Sequence, residues 1–121
     1  MILWLWCQDY VRRQALPDRR VTIRFEYPDR FGRIARDWLL VEKGDMQRCR
    51  FDPGFGDDVV VTIEDPMAFA RWHLGLIEWS TALRAGVRLS GNRELRRAMP
   101  TWNLAPERHR RRRADRDGAD A

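Results

Sequence analysis

Between Ala82 and Leu95 the chain reads ALRAGVRLSGNREL. A helical run ends at Gly86, the strand-like residues Val87 to Ser90 follow, and Gly91 leads into a helix start at Asn92. A strand this short makes neither a sheet nor a core by itself. It has to be added to a sheet built elsewhere in the chain, so the residues before it must supply the strands.

They do. VTIRFEY alternates cleanly: Val21, Ile23, Phe25 and Tyr27 face one way, and Thr22, Arg24 and Glu26 the other, as in a half-buried strand. DWLLVEKGDMQRCRF predicts a hairpin, with strands over residues 37–43 and 46–51 and a turn at Lys43-Gly44-Asp45. After the Pro- and Gly-rich turn DPGFGD comes DVVVTIE, apolar enough to lie inside the sheet.

The helices come late. Asp65 is an N-cap, Pro66 occupies the first helical position where its missing N–H is harmless, and Gly75 falls just past the end. Phe69 and Trp72 share one face of that helix. A second helix over residues 78–85 carries Trp79 and Leu83 and is closed by Gly86. Asn92 caps a last helix with Leu95 and Met99 on one face, stopped by Pro100. Residues 2–15 also read as a helix, with a stripe of Leu3, Trp6 and Tyr10. This order predicts an α+β fold: a two-layer sandwich with a mostly antiparallel five-stranded sheet and helices on one face.

A chain of 121 residues, 44% hydrophobic and with six tryptophans, supports one real core. Residues 107–121 contain no large apolar side chain and are expected to be a disordered, Arg-rich tail. Six arginines and four acids place two of the five net positive charges there. The three left for residues 1–106 make a mildly basic domain, not a nucleic-acid surface. The apolar start MILWLW lacks a preceding basic region and is too short to span a bilayer, so a cytoplasmic chain is expected. Cys7 and Cys49 form no metal spacing; a disulfide between them stays open, with the reduced state expected.

Catalytic chemistry finds no footing. His73 is the lone histidine before the tail, and it is expected at a helix end on the surface. No nucleophile–base set, calcium loop, phosphate-binding loop or dinucleotide fingerprint can be assembled. No metal and no cofactor are expected, and neither is enzymatic activity.

The order of TALRAG, VRLS and GNRELRRAM, preceded by DVVVTIEDPMAFARWHLG, resembles the sterol carrier protein type 2 domain over residues 18–102. A closer resemblance is to the variant found C-terminal to some HxlR-like winged-helix transcriptional regulators, whose terminal tryptophan matches PTWN. The resemblance implies that the late strand joins the sheet and that its flanking helices roof an apolar cavity. It also implies that residues 1–16 are an N-terminal helix connecting to an upstream domain, and residues 17–106 a ligand-binding domain. Gly75, Gly86, Gly91 and Asn92 are then structural residues. Gly91 is expected at positive φ, where valine is costly and asparagine milder.

The aromatic side chains either fill an ordinary core or line a cavity for an apolar ligand. On the second reading Phe25, Trp38, Leu40, Val61, Phe69, Trp72, Trp79, Leu83, Leu95 and Met99 form the site, with Trp102 beside them. The ligand would be a fatty acid, lipid or sterol-like molecule, and the domain the sensor of, or a relative of, a winged-helix regulator. The alternatives are a structural or dimerisation module with a filled core, and an accessory domain of an enzyme. The expected macromolecular partner is a second copy or an upstream winged-helix domain, held through residues 2–14. Sequence-specific DNA contact and a membrane span are not expected.

Overall fold

The alternation around Phe25 becomes the central strand of the sheet. In this computed structural model, which describes residues 2–104, β1 (Val21–Pro28) buries Val21, Ile23 and Phe25 completely. It pairs antiparallel with β2 (Ile34–Glu42), which turns back through Lys43 and Gly44 into β3 (Asp45–Cys49). Lys43 and Gly44 both have positive φ, the conformation a two-residue hairpin turn demands. The hairpin sits where the sequence places it, with a longer first strand.

From β3, at one edge, the chain crosses back and enters β4 (Val59–Ile63) on the far side of β1, parallel to it. β5 (Val87–Gly91) then pairs antiparallel with β4. The order is β3-β2-β1-β4-β5, an open sheet with one parallel pair. The apolar DVVVTIE segment lies inside the sheet because it has a strand on each side.

The four α-helices of the described residues lie on one face of the sheet. α1 (Ile2–Asp9) inserts Trp6; α2 (Pro66–His73) brings Phe69 and Trp72; α3 (Trp79–Ala85) brings Ala82; and α4 (Arg93–Ala98) brings Leu95. A short 3-10 turn, Met99–Trp102, adds two more buried side chains and absorbs Pro100 at its start. Caps form as expected: Asp65 Oδ1 accepts from the Met67 amide at 3.0 Å, and Asn92 Oδ1 from the Leu95 amide at 3.0 Å. Gly75 and Gly86 take positive φ at their helix ends.

The first helix is shorter than its sequence suggests. It ends at Asp9, and Arg13–Ala15 form only a 3-10 turn. Its apolar stripe packs within its own domain. Trp6 meets Phe25, Phe69 and Trp72 ring to ring, and its indole N–H donates to Asn103 Oδ1 at 3.1 Å. The same asparagine donates to the Trp72 and His73 carbonyls. Backbone bonds join the segment after α1 to the end of the described chain: the Arg12 amide to the Trp102 carbonyl, and the Leu104 amide to the Tyr10 carbonyl. The expected tail, 107–121, lies outside the described residues.

Candidate functional site

The aromatic set does not converge on one cavity, and strand parity explains why. Trp38 stands opposite Arg24, and Leu40 opposite Thr22, so both point away from the helices. The indole of Trp38 instead donates to Asp57 Oδ1 at 3.1 Å, beside the Arg24–Asp57 ion pair. Phe25, Val61, Trp72, Leu95, Met99 and Trp102 are core residues, nearly or wholly buried. Trp79 and Leu83 border a separate groove. Only Phe69, of the ten expected ligand-binding residues, reaches an apolar cleft at one end of the helical layer.

That cleft, of about 480 Å³, opens where α1, the start of α2 and the β1–β2 turn meet. Leu3, Pro66 and Phe69 form its helical wall, and Tyr27, Ala35 and Ile63 its sheet floor. Phe31 stands at the mouth, 72% exposed, with the Arg30 guanidinium 4.8 Å from its ring centre. The turn that holds Phe31 is built by Asp29, whose Oδ1 accepts from the Phe31 and Arg33 amides at 2.8 and 2.9 Å. The mouth is therefore rigid backbone carrying an exposed aromatic ring.

One polar group serves the floor. The Tyr27 hydroxyl donates to Asp37 Oδ2, and Arg48 Nη2 donates to both oxygens of the same carboxylate at 3.1 and 3.2 Å. Asp37 is 3% exposed. Burial, followed by the bond to Asp37, pushes the Tyr27 hydroxyl up to about 12. The phenol stays neutral at physiological pH, with its proton committed to Asp37, and shows the cleft an aromatic face. Asp37 had a signal in the sequence: it shares parity with Leu39 and Val41, an acid in an apolar row. Leu3, Ala35 and Pro66 had none.

His73 is a correction. It is 1% exposed, between the rings of Tyr10 and Phe69, because Asn103 and the chain end fold over the end of α2. Burial lowers its pKa to about 4. Cys7 is buried and Cys49 half-buried, both as free thiols; burial pushes the Cys7 thiol up. Among the described residues no group of three His, Cys, Asp or Glu side chains could hold a metal ion, and no helix is long and apolar enough to cross a membrane.

No protein-family model and no curated protein matches the chain. Solved structures do. The stereoselective inverting sec-alkylsulfatase Pisa1 from Pseudomonas sp. matches with a TM-score of 0.58 at 13% identity, over 77% of this chain and 14% of that one. This chain thus spans about a seventh of that protein's length, and the likeness is one of fold. The apo form of Sterol Carrier Protein 2 from Yarrowia lipolytica matches with a TM-score of 0.45 at 20% identity, over 60% of this chain and 62% of that one. Palmitated SCP2L2 from Aedes aegypti matches with a TM-score of 0.49 at 18% identity, over 75% and 78%.

Proposed function

We propose that this domain binds a small apolar ligand, a fatty acid or comparable alkyl chain, without transforming it, in the cleft between α1, α2 and the β1–β2 turn. The observation that carries the reading is the cleft itself. Its walls are apolar, its volume falls within the ~300–1,000 Å³ typical of ligand pockets, and an exposed phenylalanine guards the mouth. The sterol-carrier resemblance in the sequence supports the same ligand class. A role as the sensor part of a cytoplasmic winged-helix regulator, or of a relative, extends this reading. On α1, Trp4 and Leu5 keep apolar surface exposed for a partner domain or a second copy.

Calorimetric titration with fatty acids of graded length tests it. Saturable binding is expected, and Ala35→Trp, which places an indole in the cleft, should abolish it while the protein still melts cooperatively. No saturable binding with any chain length would leave a structural module with a filled core.

The fold likeness to one segment of a much longer sec-alkylsulfatase favours a second reading, an accessory domain that presents or shields an alkyl group for an enzyme. Binding of alkyl sulfates in preference to fatty acids of equal length, lost in Ala35→Trp, would favour it.

A further inference from the structure

Away from this cleft, α3, β5 and α4 enclose a second groove of about 530 Å³ whose chemistry is different. Trp79, Leu83 and Leu89 make an apolar floor, and Arg93, Arg96 and Arg97 stand around it. Among the described residues no carboxylate lines the groove. Among the described residues Arg93 and Arg97 have neither an ion pair nor a hydrogen bond, and Arg96 spends only its Nε, on the Gly91 carbonyl at 3.1 Å. Glu94, on the same helix, is exposed outside the groove.

We infer that this groove is a second binding site, for a small anion with an apolar body: an alkyl or aryl sulfate or phosphate. Three guanidinium groups around an apolar floor repel one another, and an anion between them converts that repulsion into attraction. Their planar forks suit a sulfate or phosphate with two oxygens engaged at once. The floor selects against a bare inorganic anion, because Trp79, Leu83 and Leu89 gain only when apolar surface covers them. Leu83 is 41% exposed and Trp79 half-buried, its inner side packed on Trp72 at 4.5 Å, so the free side faces the groove. The chain's own residues 107–121 carry a surplus of arginine over acid and do not complement the rim. The concave shape suits a single molecule rather than a flat bilayer. This site is independent of the apolar cleft.

The test is calorimetric titration of the full chain with octyl sulfate below its micellar concentration, with octyltrimethylammonium and inorganic sulfate for comparison. Octyl sulfate should bind saturably, at least tenfold more tightly than either comparison compound. The double variant Arg93→Gln/Arg97→Gln should weaken it tenfold or more with an unchanged melting temperature, whereas Ala35→Trp should leave it intact. Equal binding of the cationic analogue, or indifference to the arginine substitutions, would overturn the inference. So would loss of binding in Ala35→Trp alone, which would assign the ligand to the other cleft. Sedimentation with phosphatidylglycerol vesicles but no binding of octyl sulfate would also overturn it, in favour of a membrane surface.

Discussion

Gly91 lies directly against the carbonyl oxygen of Asp58, so that a Cβ on residue 91 would overlap that oxygen and crowd the Cα of Val59. The contact locks the last strand to the entry of β4. The Asn92 amide donates to the same Asp58 carbonyl at 2.8 Å, and the Asp58 side chain accepts from the Thr22 amide at 2.8 Å. Gly91 also has φ of 106°, beyond the left-handed region that asparagine tolerates. Gly91→Ala, Gly91→Asn and Gly91→Val should therefore all be severe, each at or above the ~1–3 kcal/mol of backbone strain. The sequence alone suggested that asparagine would be mild. Gly44→Asn, at φ of 74° with open space around it, should cost under about 1 kcal/mol. Chemical denaturation of these variants checks the contrast. A harmless Gly91→Asn would mean that β5 does not seat against Asp58.

The pair Trp6–Asn103 should behave as a buried latch. Asn103→Ala leaves the indole N–H without its acceptor and the His73 carbonyl without that donor, while the Trp72 carbonyl keeps the Gly75 amide, and should cost about 1–3 kcal/mol. Trp6→Ala removes a wholly buried indole from the core and should cost about 3–5 kcal/mol. Equilibrium unfolding in urea reads both. A Trp6→Ala protein of near-normal stability would show that α1 is not part of the core.

His73 should make the fold acid-sensitive. Its folded pKa of about 4 lies below the ordinary value of 6.5, so between those limits the unfolded chain holds a proton that the folded one refuses. Stability from this group is complete above pH 6.5 and drains away as pH falls toward 4, by up to about 3 kcal/mol. His73→Leu should flatten that part of the stability–pH curve. An unchanged slope in the variant would assign the acid sensitivity to other groups.

Asp37 and Arg48 should be strongly coupled. Arg48→Met leaves a buried carboxylate without its cation and should cost about 3–5 kcal/mol. Replacing both, Asp37→Leu with Arg48→Met, should restore much of the loss, because no lone charge then remains. A double-mutant cycle measures the coupling; additive losses would mean that the two side chains do not interact. Tyr27→Phe removes one donor only and should cost less than either single charge deletion.

The local signals in the sequence were strong, and they held where neighbouring residues alone decide the structure. The alternation around Phe25, the caps at Asp65 and Asn92 and the tight turn at Lys43-Gly44 are short-range matters, and all are found. What was illegible depended on distant partners. The β1–β4 pairing is set by how a loop crosses the sheet, which no window of sequence shows. Trp38 and Leu40 were assigned to the helix side on apolar character, although their own parity with Arg24 and Thr22 places them outside. Trp72, Leu95 and Met99 are apolar enough for either wall or core, and only the assembled layer decides. His73 looked like a surface helix end because the segment that covers it arrives thirty residues later.

The backbone bonds between Arg12 and Trp102 and between Tyr10 and Leu104 seat the segment after α1 beside the end of the described chain. From Tyr10 to Leu104 the domain is in this respect a closed ring with a single seam, and α1 is the stretch that enters the ring from outside it. A segment joined after Leu104 would emerge beside the last turn of α1, so the whole helix lies between that exit and whatever is joined before Ile2. A linker long enough to run back along α1, with new ends cut at the exposed Lys43-Gly44 turn, should yield a circularly permuted protein that still folds.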